Sequence, residues 1–176
     1  MTSGLRVAVA TTLAAFAFAT ANPNSDRVQA SSAPSVSLNA SQSAPRQVED
    51  TTQRAVARDY AAAWQAMSDA LEQNRPDLLA TNFIGTADEK LSAGINAQRK
   101  NGLHEHIVDK GHRVTVVFYS QEGSAMELHD TAQLELQVLD GSKVIRSEDS
   151  TVHYVALLTA AENSWKVRVL EAVPQL

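Results

Sequence analysis

Asp130 interrupts an apolar alternation. Met126, Leu128, Ala132 and Leu134 recur at every second position around it. A regular strand would therefore aim its carboxylate inward with them. An unpartnered buried carboxylate is costly, so such a residue is paired, protonated or lining a cavity. Asp140-Gly141 is a hairpin signal, and the loop it makes decides what faces Asp130. A four-residue loop, 140–143, pairs Val138 with Ile145 and sets Asp130 opposite His153. A two-residue loop sets Asp130 opposite Thr151, and His153 opposite Leu128. An inward Asp–His pair can serve as general base and orienter. Tyr60, on an upstream helical stripe, is the nearest hydroxyl able to join it. The structural alternative is a bulge that turns Asp130 outward, or a hydrogen bond that only holds the fold.

His104 and His106 share one strand face, and His112 follows the turn signal Asp109-Lys110-Gly111-His112. Two imidazoles at that spacing suit zinc or nickel, but a site needs three or more converging ligands. A solvated strand accounts for the same letters, so neither a metal site nor a cofactor is expected. There is no phosphate-cradling glycine loop, no His-Glu-x-x-His, no Gly-x-Ser-x-Gly and no dinucleotide fingerprint in the sequence. With no Cys, thiolate catalysis and disulfide scaffolds are excluded. The formal net charge of -5 argues against a nucleic-acid partner, which requires a basic footprint.

Three stretches of different character precede and carry these residues. Residues 1–21 hold Arg6 and then an uncharged run from Val7 to Ala21. That is the pattern of an export signal. Small residues allow cleavage before Asn22, Thr20 or Ser31. The run falls short of the roughly 20 apolar residues that span a bilayer, so membrane attachment is expected only if the signal stays uncleaved. Residues 22–47 are rich in Ser and Pro without an aromatic. Such a composition predicts a disordered linker. Residues 48–176 carry the hydrophobic periodicity of one folded domain.

That domain opens with a helix: Val56, Tyr60, Ala63, Met67, Ala70 and Leu71 fall on one face. Asn74-Arg75-Pro76 ends it. A short Pro76-led helix carries Leu78, Leu79, Phe83 and Ile84 as far as Gly85. Thr86-Ala87-Asp88-Glu89 reads as a capping box opening a third helix, which leaves through Asn101-Gly102. Everything beyond Leu103 alternates like strand. The pattern predicts an antiparallel meander of about four to six strands, with helices on one face: an α+β domain.

The order long helix Arg54–Asn74, the stretch Arg75-Pro76-Asp77-Leu78-Leu79…Phe83-Ile84-Gly85, the third helix, and a sheet ending Trp165-Lys166-Val167-Arg168-Val169 resembles the nuclear-transport-factor-2-like (NTF2-like, cystatin-like α+β) superfamily. That superfamily includes the SnoaL-like and ketosteroid-isomerase-like proteins. The resemblance implies N-terminal helices packed on one face of a curved antiparallel sheet, closing a cone. It also implies an enzyme alternative: acid–base catalysis on an apolar ligand by Asp130, His153 and Tyr60, in a pocket lined by Trp64, Phe83 and Leu128. The missing catalytic motifs favour the other reading. That reading is an exported, periplasmic or secreted, non-catalytic domain that binds a small apolar ligand or a protein partner, or forms a homodimer through Val117, Tyr119 and Leu139.

Overall fold

The computed structural model describes residues 34–176. The expected signal, residues 1–21, and the expected linker up to residue 33 lie outside the described residues. The chain runs β1 (Val36–Asn39), β2 (Ala44–Pro45), α1 (Asp50–Gln73), a 3-10 turn (Pro76–Leu79), α2 (Gly85–Lys100), β3 (Leu103–Tyr119), β4 (Ala125–Asp140), β5 (Lys143–Ala161) and β6 (Ser164–Val173). Two α-helices pack on a curved, unclosed sheet, an α+β cone.

The sheet order is β1-β3-β4-β5-β6, with β2 also on β3. From β3 to β6 it is the expected antiparallel meander. Two short strands make it mixed. β1 pairs parallel with His112–Thr115, and β2 parallel with Phe118 and Tyr119. This corrects the expected disorder of 22–47 over its described part. Val36 and Leu38 pack against the core there, and the backbone finds its partners on β3. Local composition misses this, because the stabilising surface is supplied by a strand some 75 residues later.

α1 buries Val56, Tyr60, Ala63, Met67 and Ala70 as its periodicity predicts, with Trp64 beside them, while Leu71 at the end of the stripe is half-buried. It stops at Asn74, which takes a left-handed conformation (φ 54°). The Asn74 side chain donates to Leu103 O at 2.9 Å. Gln98 on α2 donates to Leu71 O at 2.6 Å, so orphan carbonyls at the helix end are satisfied. At the other side of α1, Asp59 Oδ2 accepts the Trp165 amide at 2.8 Å, and Arg58 holds the second carboxylate oxygen at 2.8 Å. The Pro76 segment is a single 3-10 turn rather than a helix. The capping box does not form: the Thr86 hydroxyl donates to Arg168 O at 3.1 Å instead.

Four single-residue bulges shape the sheet. Register shifts fall between Asp109 and Gly111, between Val116 and Phe118, between Val138 and Leu139, and between Leu157 and Leu158. Each inserts one residue, in turn Lys110, Val117, Ile145 and Arg168, and each reverses which residues face the core. The expected turn at 109–112 is therefore not a turn: β3 runs straight through it as a bulge. Val117 likewise re-aims Tyr119. Its ring is buried, edge-on to Trp165 at 6.2 Å and under the Arg46 guanidinium at 5.0 Å. Tyr119 and Leu139, expected as dimer contacts, are both buried. Leu136, expected in the core, is 36% exposed.

Candidate functional site

α1 and the middle of β4 bring Tyr60 and Asp130 together. The Tyr60 hydroxyl donates to Asp130 Oδ2 at 3.0 Å. The same oxygen lies 2.7 Å from His112 Nδ1 on β3. His112 Nε2 lies 2.8 Å from Asp109 Oδ2. Asp109 in turn accepts the Gly111 amide through Oδ1 at 2.8 Å. The Lys110 bulge makes this possible, since it turns both Asp109 and His112 inward. Gly111 supports it at φ 123°, a backbone open to glycine and strained for other residues.

With a carboxylate at each ring nitrogen, His112 donates from both and is an imidazolium. Burial opposes that charge. The hydrogen bonds to Asp109 and Asp130 outweigh it and hold the pKa at about 9, against the ordinary 6.5. Trp64 lies tilted against the ring, centroids 4.4 Å apart, and packs edge-on to Tyr154 at 5.3 Å. Burial, then the charge of Asp130, pushes the Tyr60 hydroxyl well above its usual range. The same two causes, with Glu105 added, push Tyr154 up to about 12. Both phenols therefore stay protonated, and Tyr60 donates to Asp130.

Asp130 is 0% exposed and Tyr60 1%. Among the described residues, one surface cavity borders the network at His112 and another lies away from it. One of about 190 Å³ is lined by Ser35, Lys110, Gly111, His112, Arg113, Thr131 and Gln133. Another of about 300 Å³ is lined by Leu38, Asp50, Gln53, Arg54 and Ala57. Neither is lined by Asp130, Tyr60 or Trp64. The arrangement is a sealed, ordered ion pair with a phenol donor. It can hold a proton and fix α1 against the sheet.

Of the expected catalytic set, the structure joins Asp130 and Tyr60 and leaves out His153. The hairpin pairs Asp140 with Lys143 and Leu139 with Val144 around Gly141-Ser142, in the register expected of the 140–143 loop. The extra residue Ile145 then shifts the ladder, so Asp130 faces Tyr154 and Thr131 faces His153. His153 lies on the opposite face of the sheet, with Nδ1 3.1 Å from the Thr131 hydroxyl. Of the expected pocket residues, Trp64 borders the network. Leu128 lies two positions before Asp130 on β4, between Val116 and Ala156. Phe83 is buried and pairs through its backbone with Val167. The histidines expected to share a strand region do not converge: His106 Nδ1 is 3.3 Å from Glu72, whereas His112 is held by two aspartates. Among the described residues no group of three or more His, Asp or Glu is placed to hold a metal ion.

His112 and Asp109 are the residues that sequence reading missed. Their signal was present: His112, Val114 and Val116 alternate on one face, which a turn ending at His112 conceals.

No protein-family model matches the chain, and no curated protein matches it in sequence. Solved structures do match in shape. The intermembrane-space region of the chloroplast protein ARC6 superposes with a TM-score of 0.59 at 12% identity, over 73% of this chain and 98% of that one. Aln2 from a Streptomyces species gives a TM-score of 0.48 at 16% identity, over 72% of this chain and 94% of that one. A protein from Streptomyces avermitilis described as a dehydratase from the NTF2-like family gives 0.45 at 13% identity, over 69% and 97%. At such identities the likeness is one of fold.

Proposed function

On the premise that this chain has the NTF2-like fold, we propose that it is an exported, non-catalytic domain of the bacterial envelope that binds a partner or assembles with itself. The inaccessibility of Asp130 carries this reading. A general base must reach the proton it abstracts, and the one oxygen with donors here is committed to Tyr60 and His112. The Met1–Ala21 sequence supports export. The likeness in shape to a domain that works between two membranes, the ARC6 region, is compatible with it. Among the described residues no helix is long and apolar enough to cross a membrane.

Fractionation of a bacterium expressing the full chain tests export. The protein is expected in the periplasm or medium, with an intact mass starting at Asn22, Thr20 or Ser31. Recovery from the cytoplasm with Met1 in place would overturn it.

One observation favours the enzyme alternative, a small SnoaL- or isomerase-like activity on an apolar ligand. Asp130 Oδ1 is buried without a hydrogen-bond partner, and such an atom calls for an explanation. Native mass spectrometry discriminates. A bare polypeptide mass supports the non-catalytic reading. A co-purifying small molecule that is lost in Asp130→Asn supports the enzyme.

A further inference from the structure

Only part of β5 has strands on both sides. β6 pairs with His153–Ala161. Among the described residues, the stretch 143–152 pairs with β4 alone. Elsewhere the edges are covered in part. β1 and β2 lie along the C-terminal half of β3. The segment 82–84 meets β6 at Val167, with Ile84 N donating to Val167 O at 3.0 Å and Val167 N to Asn82 O at 2.9 Å. The stretch 143–152 contains no Pro or Gly to break its pairing, and its charges, which blunt an edge when they share one sign, change sign across Ser147.

We propose that this free edge is the contact through which two copies of the chain join, antiparallel, about a two-fold axis at Ser147. The proposal rests on the self-assembling reading above and names its surface. Charge complementarity carries it. Arg146 lies immediately before Ser147 and Glu148 immediately after it, while on this axis Lys143 faces Thr151 and Asp149 faces Ile145. A row of one sign would repel a second copy. This pair, reversed by a two-fold axis, opposes itself. Arg146 of each copy then faces Glu148 of the other, and Ser147 faces its own equivalent. Arg146 and Glu148 lie on the same face, joined within one chain at 2.5 Å, so the pair of copies forms an alternating row of four charges. Such an interface is isologous, as two-fold symmetry requires. Ile145, the bulge residue, is 52% exposed and adds an apolar side chain beside this row. Joining the edges would continue one sheet through both copies and pair backbone groups that otherwise face water.

Sedimentation equilibrium of the protein as recovered from the cell tests this at low salt. A dimer is expected. Arg146→Glu and Glu148→Arg, each alone, should weaken it by about tenfold or more, because symmetry counts each like-charge pair twice. The double variant should restore it, as should a mixture of the two single variants. Both restorations separate charge pairing from mere misfolding. A wild-type chain that stays monomeric overturns the proposal without touching the export result. So does a dimer indifferent to Arg146→Glu.

Discussion

The Tyr60 hydroxyl, halfway along α1, donates to Asp130 Oδ2, halfway along β4, at 3.0 Å. This bond ties the helix layer to the sheet inside the fully buried core. It also makes Asp130 the meeting point of a phenol and an imidazolium. A buried charge with two donors is stable where it stands, and costly once a partner is removed.

Asp130→Ala should therefore destabilise the fold by about 3–5 kcal/mol, leaving His112 charged against Asp109 alone. Asp130→Asn should cost less, since its amide oxygen still accepts from Tyr60. Urea unfolding at neutral pH measures both. A loss below about 1 kcal/mol for the alanine variant would mean that the network does not support the fold.

His112 makes stability depend on pH with a definite sign. Its folded pKa, about 9, lies above the ordinary 6.5. The folded chain thus keeps a proton that the unfolded chain releases. The contribution is complete below pH 6.5 and is lost as pH rises to about 9. Urea midpoints should fall across that window and level off above it, and His112→Gln should abolish the fall. A wild-type midpoint that rises there would contradict the imidazolium.

His153→Ala should change stability by less than about 1 kcal/mol, as a partly buried hydrogen bond to Thr131 on the opposite face allows. His112→Ala should cost several times more. Equal losses would mean that the register at Ile145 is other than described.

Asp59→Ala should cost about 1.5–3 kcal/mol, because its carboxylate accepts the buried Trp165 amide. Hydrogen exchange would locate the loss. The Trp165 amide should exchange faster, while amides on β4 keep their protection.

Arg46→Ala should loosen the N-terminal strands, since Arg46 lies over Tyr119 and bonds both Glu49 and Gln121 O. Limited proteolysis should cut within 34–47 sooner, with the rest of the domain intact. Unchanged cleavage would make the contact incidental.

How much of this was legible in the sequence depended on whether a pattern ran without insertions. α1 could be read because Val56, Tyr60, Ala63 and Met67 keep one period from end to end. Asp130 and Tyr60 were found for the same reason, each lying on an unbroken face. His153 was misassigned as the partner of Asp130, although the hairpin loop itself was one of those foreseen. Ile145 reverses the parity between loop and site, and nothing about an isoleucine in a strand marks it as supernumerary. His112 was lost to a plausible turn at Asp109-Lys110-Gly111. The strands β1 and β2 were illegible for another reason: their short runs gain stability only beside β3, far along the chain.

The parallel attachment of β1 to β3 has a mechanical consequence. Force applied at the leading end of β1 acts along the strand, so the bonds linking Val36–Asn39 to His112–Thr115 are loaded together in shear rather than peeled one after another. A domain hung by that end would transmit tension into the body of β3, and bypass the hairpins at its rim.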